Sequence, residues 1–66
     1  MNKAIEKVIE ECGSRDILAK ACGVSNATVG NWLKGQGING KHIKPISDAT
    51  GGKVSIDEIL QSLSQS

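Results

Sequence analysis

Apolar residues recur with a helical period along almost the whole chain. Ala4, Ile5, Val8, Ile9 and Cys12 fall three and four residues apart, which predicts a helix over residues 3–11, ended by Gly13. Ser14 then stands as an N-cap before "RDILAKAC", where Ile17, Leu18, Ala21 and Cys22 make one face of a second helix closed by Gly23. Ser25 caps a third helix that runs to about residue 34, with Gly35 at its C-terminal cap and Val24 folding back onto Val29 as a hydrophobic staple.

"GQGING" is a loop by composition. A fourth helix is expected over about residues 41–50, burying Ile43, Ile46 and Ala49. Pro45 is comfortable only in a first turn, so that helix either starts later or bends. Gly51 and Gly52 end it, and "SIDE" at 55–58 spells a capping box of Ser55 with Glu58. The fifth helix places Ile56, Ile59, Leu60 and Leu63 on one narrow face, read as core. No segment alternates as a strand does, so the class is all-α: one domain over residues 1–66, with residues 62–66 expected to fray.

Composition agrees with a small packed core, since Leu, Ile, Val and Phe together make 16 of 66 residues, above the roughly 20% below which disorder is the default. The N-terminus interleaves charge with apolar residues and holds no run long enough for a signal peptide or a membrane span. A cytoplasmic protein is therefore expected, with Cys12 and Cys22 reduced and buried as small apolar side chains. Two cysteines with one distant histidine make no zinc site, and no cofactor is expected.

The net charge of +1 conceals an order. Glu6, Glu10, Glu11 and Asp16 lie early and Asp48, Asp57 and Glu58 late. Between Asp16 and Asp48 every charged residue is a lysine (Lys20, Lys34, Lys41, Lys44), with His42 among them, a basic strip that suits a polyanion.

Two short helices joined at "ACGVS" form the core of a helix-turn-helix, whose second helix enters the major groove of DNA. Counted from Arg15 as the first position, Ala19 is fifth, where the helices cross closely, and Gly23 is ninth, where the turn requires positive φ. Val24, Val29 and Trp32 are tenth, fifteenth and eighteenth, the apolar pegs that set the interhelical angle.

The run "SRDILAKACGVSNATVGNWLKG", followed by "KHIKPISDATGGKVSIDEIL", resembles the small all-helical Cro repressors of lambdoid phages and the related YdaS-type prophage regulators. The likeness covers about residues 3–60. It implies a five-helix, lambda-repressor-like domain whose second and third helices bind operator DNA. "ATGG" before a hydrophobic residue and a capped last helix is similar to the YdaS-like branch, unlike the Cro proteins that end in a β-hairpin.

Turning the third helix through about 100° per residue gathers Asn26, Ala27, Gly30, Asn31 and Lys34 on one arc and Val29, Trp32 and Leu33 on the other. The polar arc is the expected groove face. Asn31 is suited to an adenine edge or a phosphate and Lys34 to a guanine acceptor or the backbone, Ser25, Asn26 and Ala27 lie nearest the bases, and Thr28 stands at the boundary. Gly30 costs the helix roughly 1 kcal/mol relative to alanine, and a close approach of backbone to bases would account for it. Phosphate contacts are expected from Ser14 and Arg15 at the second helix and from Lys41, His42 and Lys44 before the fourth. Asp16 is expected to face its own helix terminus, away from DNA, and Trp32 to pack in the core.

These features predict a sequence-specific repressor of Cro type, bound to a near-palindromic double-stranded operator as a weak or DNA-induced homodimer. The alternative is an antitoxin or adaptor of the YdaS-like kind whose main partner is another protein. One histidine, no nucleophile beside a base and too few residues for a substrate pocket argue against an enzyme and against a small-molecule substrate.

Overall fold

A computed structural model describes residues 2–63. It contains five α-helices, α1 (Lys3–Cys12), α2 (Arg15–Cys22), α3 (Asn26–Leu33), α4 (Ile43–Ala49) and α5 (Ile56–Leu63), with a single 3-10 turn (Gly40–His42) leading into α4. Among the described residues there is no strand, as the periodicity requires.

Each helix has only seven to ten residues, short of the roughly 12–15 at which an isolated helix becomes even marginal. Their ends are therefore closed by side chains and glycines. The Ser14 hydroxyl accepts from the Ile17 amide at 3.3 Å, Ser25 from Thr28 at 3.2 Å, and Ser55 from Glu58 at 3.1 Å. Gly23 sits in the left-handed region (φ 68°), with its amide on the Lys20 carbonyl and that of Val24 on Ala19. Gly35 (φ 104°) donates to Trp32 while Gln36 donates to Asn31, the paired bonds of a Schellman ending.

The core is a single cluster. Ile5 and Val8 of α1, Leu18 and Ala19 of α2, Val29 and Trp32 of α3, Ile43 and Ile46 of α4 and Ile59 of α5 are all buried in it. Val24 packs against the cluster from the turn between α2 and α3. Cys12 and Cys22 are free and half-buried on its edge, and burial, followed by the neighbouring Cys12, pushes the Cys22 thiol up.

Four expectations change. On α2 the buried pair is Leu18 and Ala19, while Ile17 is 50% exposed and Ala21 is also exposed. Apolar residues at helical spacing mark a face, but neighbours decide how much of it is covered. On α4 the chain enters through the 3-10 turn, so the α-helix begins at Ile43 and Pro45 falls in its first turn, where no intrahelical N–H bond is required. On α5 the narrow face divides: Ile59 is buried and Leu63 partly so, but Ile56 and Leu60 stand 41% and 48% exposed. Ser62 and Leu63, assigned to the fraying tail, belong to α5, and residues 64–66 of that tail lie outside the described residues.

Two polar features were not foreseen. Ser47 and Thr50 are buried, and their hydroxyls hold the backbone of Val54. The Ser47 hydroxyl donates to the Val54 carbonyl at 2.8 Å, and the Val54 amide donates to Thr50 Oγ1 at 3.1 Å. Asn2 is buried as well and ties three helices. Its side-chain oxygen caps α1 by accepting from the Ile5 amide, its Nδ2 donates to Ser62 of α5 at 3.2 Å, and its backbone amide donates to the Leu33 carbonyl of α3 at 2.9 Å.

Asn2→Ala is expected to lower stability by about 1–2 kcal/mol, read as an earlier midpoint in urea denaturation followed by circular dichroism. Asn2→Asp, which keeps the capping oxygen but not the Ser62 bond, should fall between the two. An Asn2→Ala midpoint equal to wild type would mean that the cap and its links contribute nothing.

Candidate nucleic-acid interface

The outward side of α3 carries small and polar residues because its inward side is committed to the core. Val29 and Trp32 are buried and Leu33 is half-buried, which leaves Asn26, Ala27, Asn31 and Lys34 exposed. The α2–turn–α3 packing brings Arg15 to the same side. Arg15, Asn26, Ala27, Gly30, Asn31, Leu33 and Lys34 line one open concavity. Six of the twelve expected DNA-contacting residues, Arg15 among them, thus share a single surface.

Gly30 has the Arg15 side chain as its near neighbour. A Cβ built on Gly30 meets the Arg15 Nη1 at 3.7 Å, an ordinary contact with the far end of a flexible side chain. The glycine lets the guanidinium lie close over α3 without being sterically obligatory. The side chains of Arg15, Asn31 and Lys34 make no hydrogen bond or ion pair among the described residues, so their donors face solvent.

The other expected residues are placed differently. Ser25 Oγ accepts from the Thr28 amide and also lies 3.1 Å from Thr28 Oγ1, so both hydroxyls are partly engaged in capping. Thr28 is half-buried, at the boundary between the two faces. Ser14 is likewise a cap. Lys41 and Lys44 are exposed on the 3-10 turn and α4 and do not line the concavity. His42 is half-buried, its ring centroid 5.5 Å from that of Trp32, and its Nδ1 is buried without a partner, which leaves at most Nε2 for an anion.

Asp16 corrects the sequence reading most directly. Rather than turning back to its own terminus, its carboxylate accepts a hydrogen bond from Asn26 Nδ2 and so bridges α2 to the first residue of α3. Nothing in the linear pattern signals this pairing, because it depends on how the turn at Gly23 folds one helix start against the other.

Among the described residues no group of histidine, cysteine, aspartate or glutamate side chains is placed to hold a metal, and no helix is long and apolar enough to cross a membrane. Residues 5–64 match the family model described as bacterial toxin YdaS. The chain belongs to the YdaS family. This is a small family of prophage type, and the match spans every helix from α2 onward and most of α1. No curated protein and no solved structure gives a significant match. For this YdaS family member, membership agrees with the all-helical resemblance drawn from "ATGG" and the capped last helix.

Gly30→Ala is expected to stabilise the fold by about 1 kcal/mol, since helix propensity improves and the new methyl meets only the mobile Arg15 tip. A chemical-denaturation midpoint that falls instead would show that the Arg15 contact tolerates no Cβ.

Proposed function

We propose that this YdaS family member is a sequence-specific double-stranded DNA-binding repressor of Cro type, acting in the bacterial cytoplasm by binding rather than catalysis. The observation that carries the reading is the concavity on α3, where two cationic side chains and a free amide surround small residues. A helix fits the major groove when its outward residues are short and its polar groups are unspent. Here Ala27 and Gly30 supply the short residues, while Asn31 and Lys34 supply polar groups that the fold does not consume. Exposed Lys41 and Lys44, which do not line the concavity, are candidate phosphate contacts that would hold register without reading sequence.

One such helix covers only a few base pairs, so a weak or DNA-induced homodimer on a near-palindromic operator goes with the proposal. A second reading is favoured by the description of the family as a toxin: a regulator or adaptor whose main partner is a protein. Stoichiometric co-purification of a protein, with no DNA shift at low salt, would support that reading over the first.

Asn31→Ala is expected to cost on the order of 1–3 kcal/mol on the operator and little on random duplex, measured by titration of fluorescent DNA. Equal losses on both would remove its base-reading role. Lys41→Ala should weaken all duplexes similarly and reduce the slope of log affinity against log salt by about one. An unchanged slope would place Lys41 off the phosphates.

A further inference from the structure

Asp16 and Asn26 form the one side-chain bridge between the start of α2 and the start of α3 among the described residues. Both are exposed, so the bridge is not a core element. A carboxylate can only accept, so the Asn26 group facing it must be the amide nitrogen. That removes the usual ambiguity in the orientation of an asparagine side chain. One of the two Nδ2 protons is spent on Asp16, the amide plane is fixed, and Asn26 is left with its carbonyl oxygen and at most one N–H. The charge of Asp16 lies beside that edge. Arg15, the adjacent cation, is drawn over Gly30 and makes no ion pair with Asp16, so it does not neutralise that carboxylate by direct contact.

We infer that Asp16 is a specificity-determining positioning residue, which restricts Asn26 to base edges that offer an amino donor, adenine or cytosine, and rejects guanine. The inference rests on the DNA-binding reading proposed above. In the major groove adenine presents N6–H and cytosine N4–H, both able to donate to the Asn26 oxygen, and adenine N7 can also use the remaining amide proton. Guanine presents two acceptors, N7 and O6, and thymine presents O4 with a methyl group. A bidentate contact to guanine needs two outward donors, and Asp16 has taken one of them. Its negative charge also repels the acceptor edge. An acid in a DNA-facing surface is unfavourable for affinity, and here that cost accompanies a gain in discrimination.

Asp16→Asn removes the charge and keeps the size. Asparagine can donate as well as accept, so Asn26 is free to turn its oxygen inward and present both protons. Selection of duplexes from a randomised library by the full chain, with wild type, Asp16→Asn, Asn26→Ala and the double variant in parallel, tests this directly. Wild type should enrich adenine or cytosine at one position per half-site. Asp16→Asn should raise guanine there on the order of tenfold, Asn26→Ala should erase the preference at that position alone, and the double variant should match Asn26→Ala. The remaining positions should keep their profile in all four proteins.

If Asp16→Asn strengthens binding to every duplex and leaves the base profile intact, the carboxylate acts through charge alone and the inference is wrong. A profile change at a position that Asn26→Ala leaves untouched overturns it equally. If wild type enriches no sequence, the repressor reading fails and this inference fails with it. Unchanged circular dichroism of the variants shows that the fold is not the cause of any of these outcomes.

Discussion

Trp32 is the single residue of the Phe, Tyr and Trp class in the chain, and the orientation of α3 follows from its burial. A domain of this size has few large side chains with which to fill its interior. Placing the indole inward, at 3% exposure, settles which side of α3 faces out. Val29, on the same side, follows it into the core, and Ala27, Gly30, Asn31 and Lys34 have no choice but the opposite arc. The His42 ring leans on the indole from the 3-10 turn, and the Leu33 carbonyl, one residue on, holds the start of α1 through Asn2. The candidate interface is the complement of the core: its residues lie outside because none of them was needed inside.

Much of this was legible in the sequence because it is written in short-range codes. Ser14, Ser25 and Ser55 stand three residues before the amides they satisfy, and Gly23 and Gly35 stand where a Cβ would be strained. Such signals need no knowledge of distant packing. Pro45 is an instructive intermediate case. Its chemistry restricts where a helix can begin, but the 3-10 entry that resolved the restriction depends on Ile38 and Ile43 both reaching the core around it.

The rest was illegible for a common reason. Asn2 looks like a polar residue near a terminus, and only the closing of α5 against α1 turns it into a buried hub that meets Ser62. Ile56 and Leu60 share a face with Ile59, yet the wheel cannot state that α1 and α4 cover only part of that face. Glu58 fits a reciprocal capping box by spacing, while its carboxylate lies 3.5 Å from Lys7 Nζ across the helix pair. In each case the residue type limits what can happen, and a contact many residues away selects among the possibilities.

The same competition governs what the surface can do. Short helices leave four unpaired amides at each start, and small polar side chains are the cheapest way to satisfy them. Those side chains are also the ones that read bases. Ser25 and Thr28 are drawn into capping, and one proton of Asn26 is drawn into the bridge with Asp16, whereas Asn31, one turn further along, is past the region where caps compete for it. On the proposed DNA-binding reading, recognition would rest on groups beyond the first turn and on the part of Asn26 that Asp16 leaves free. Stability and the proposed selectivity would then draw on one short stretch of chain, divided at a single amide.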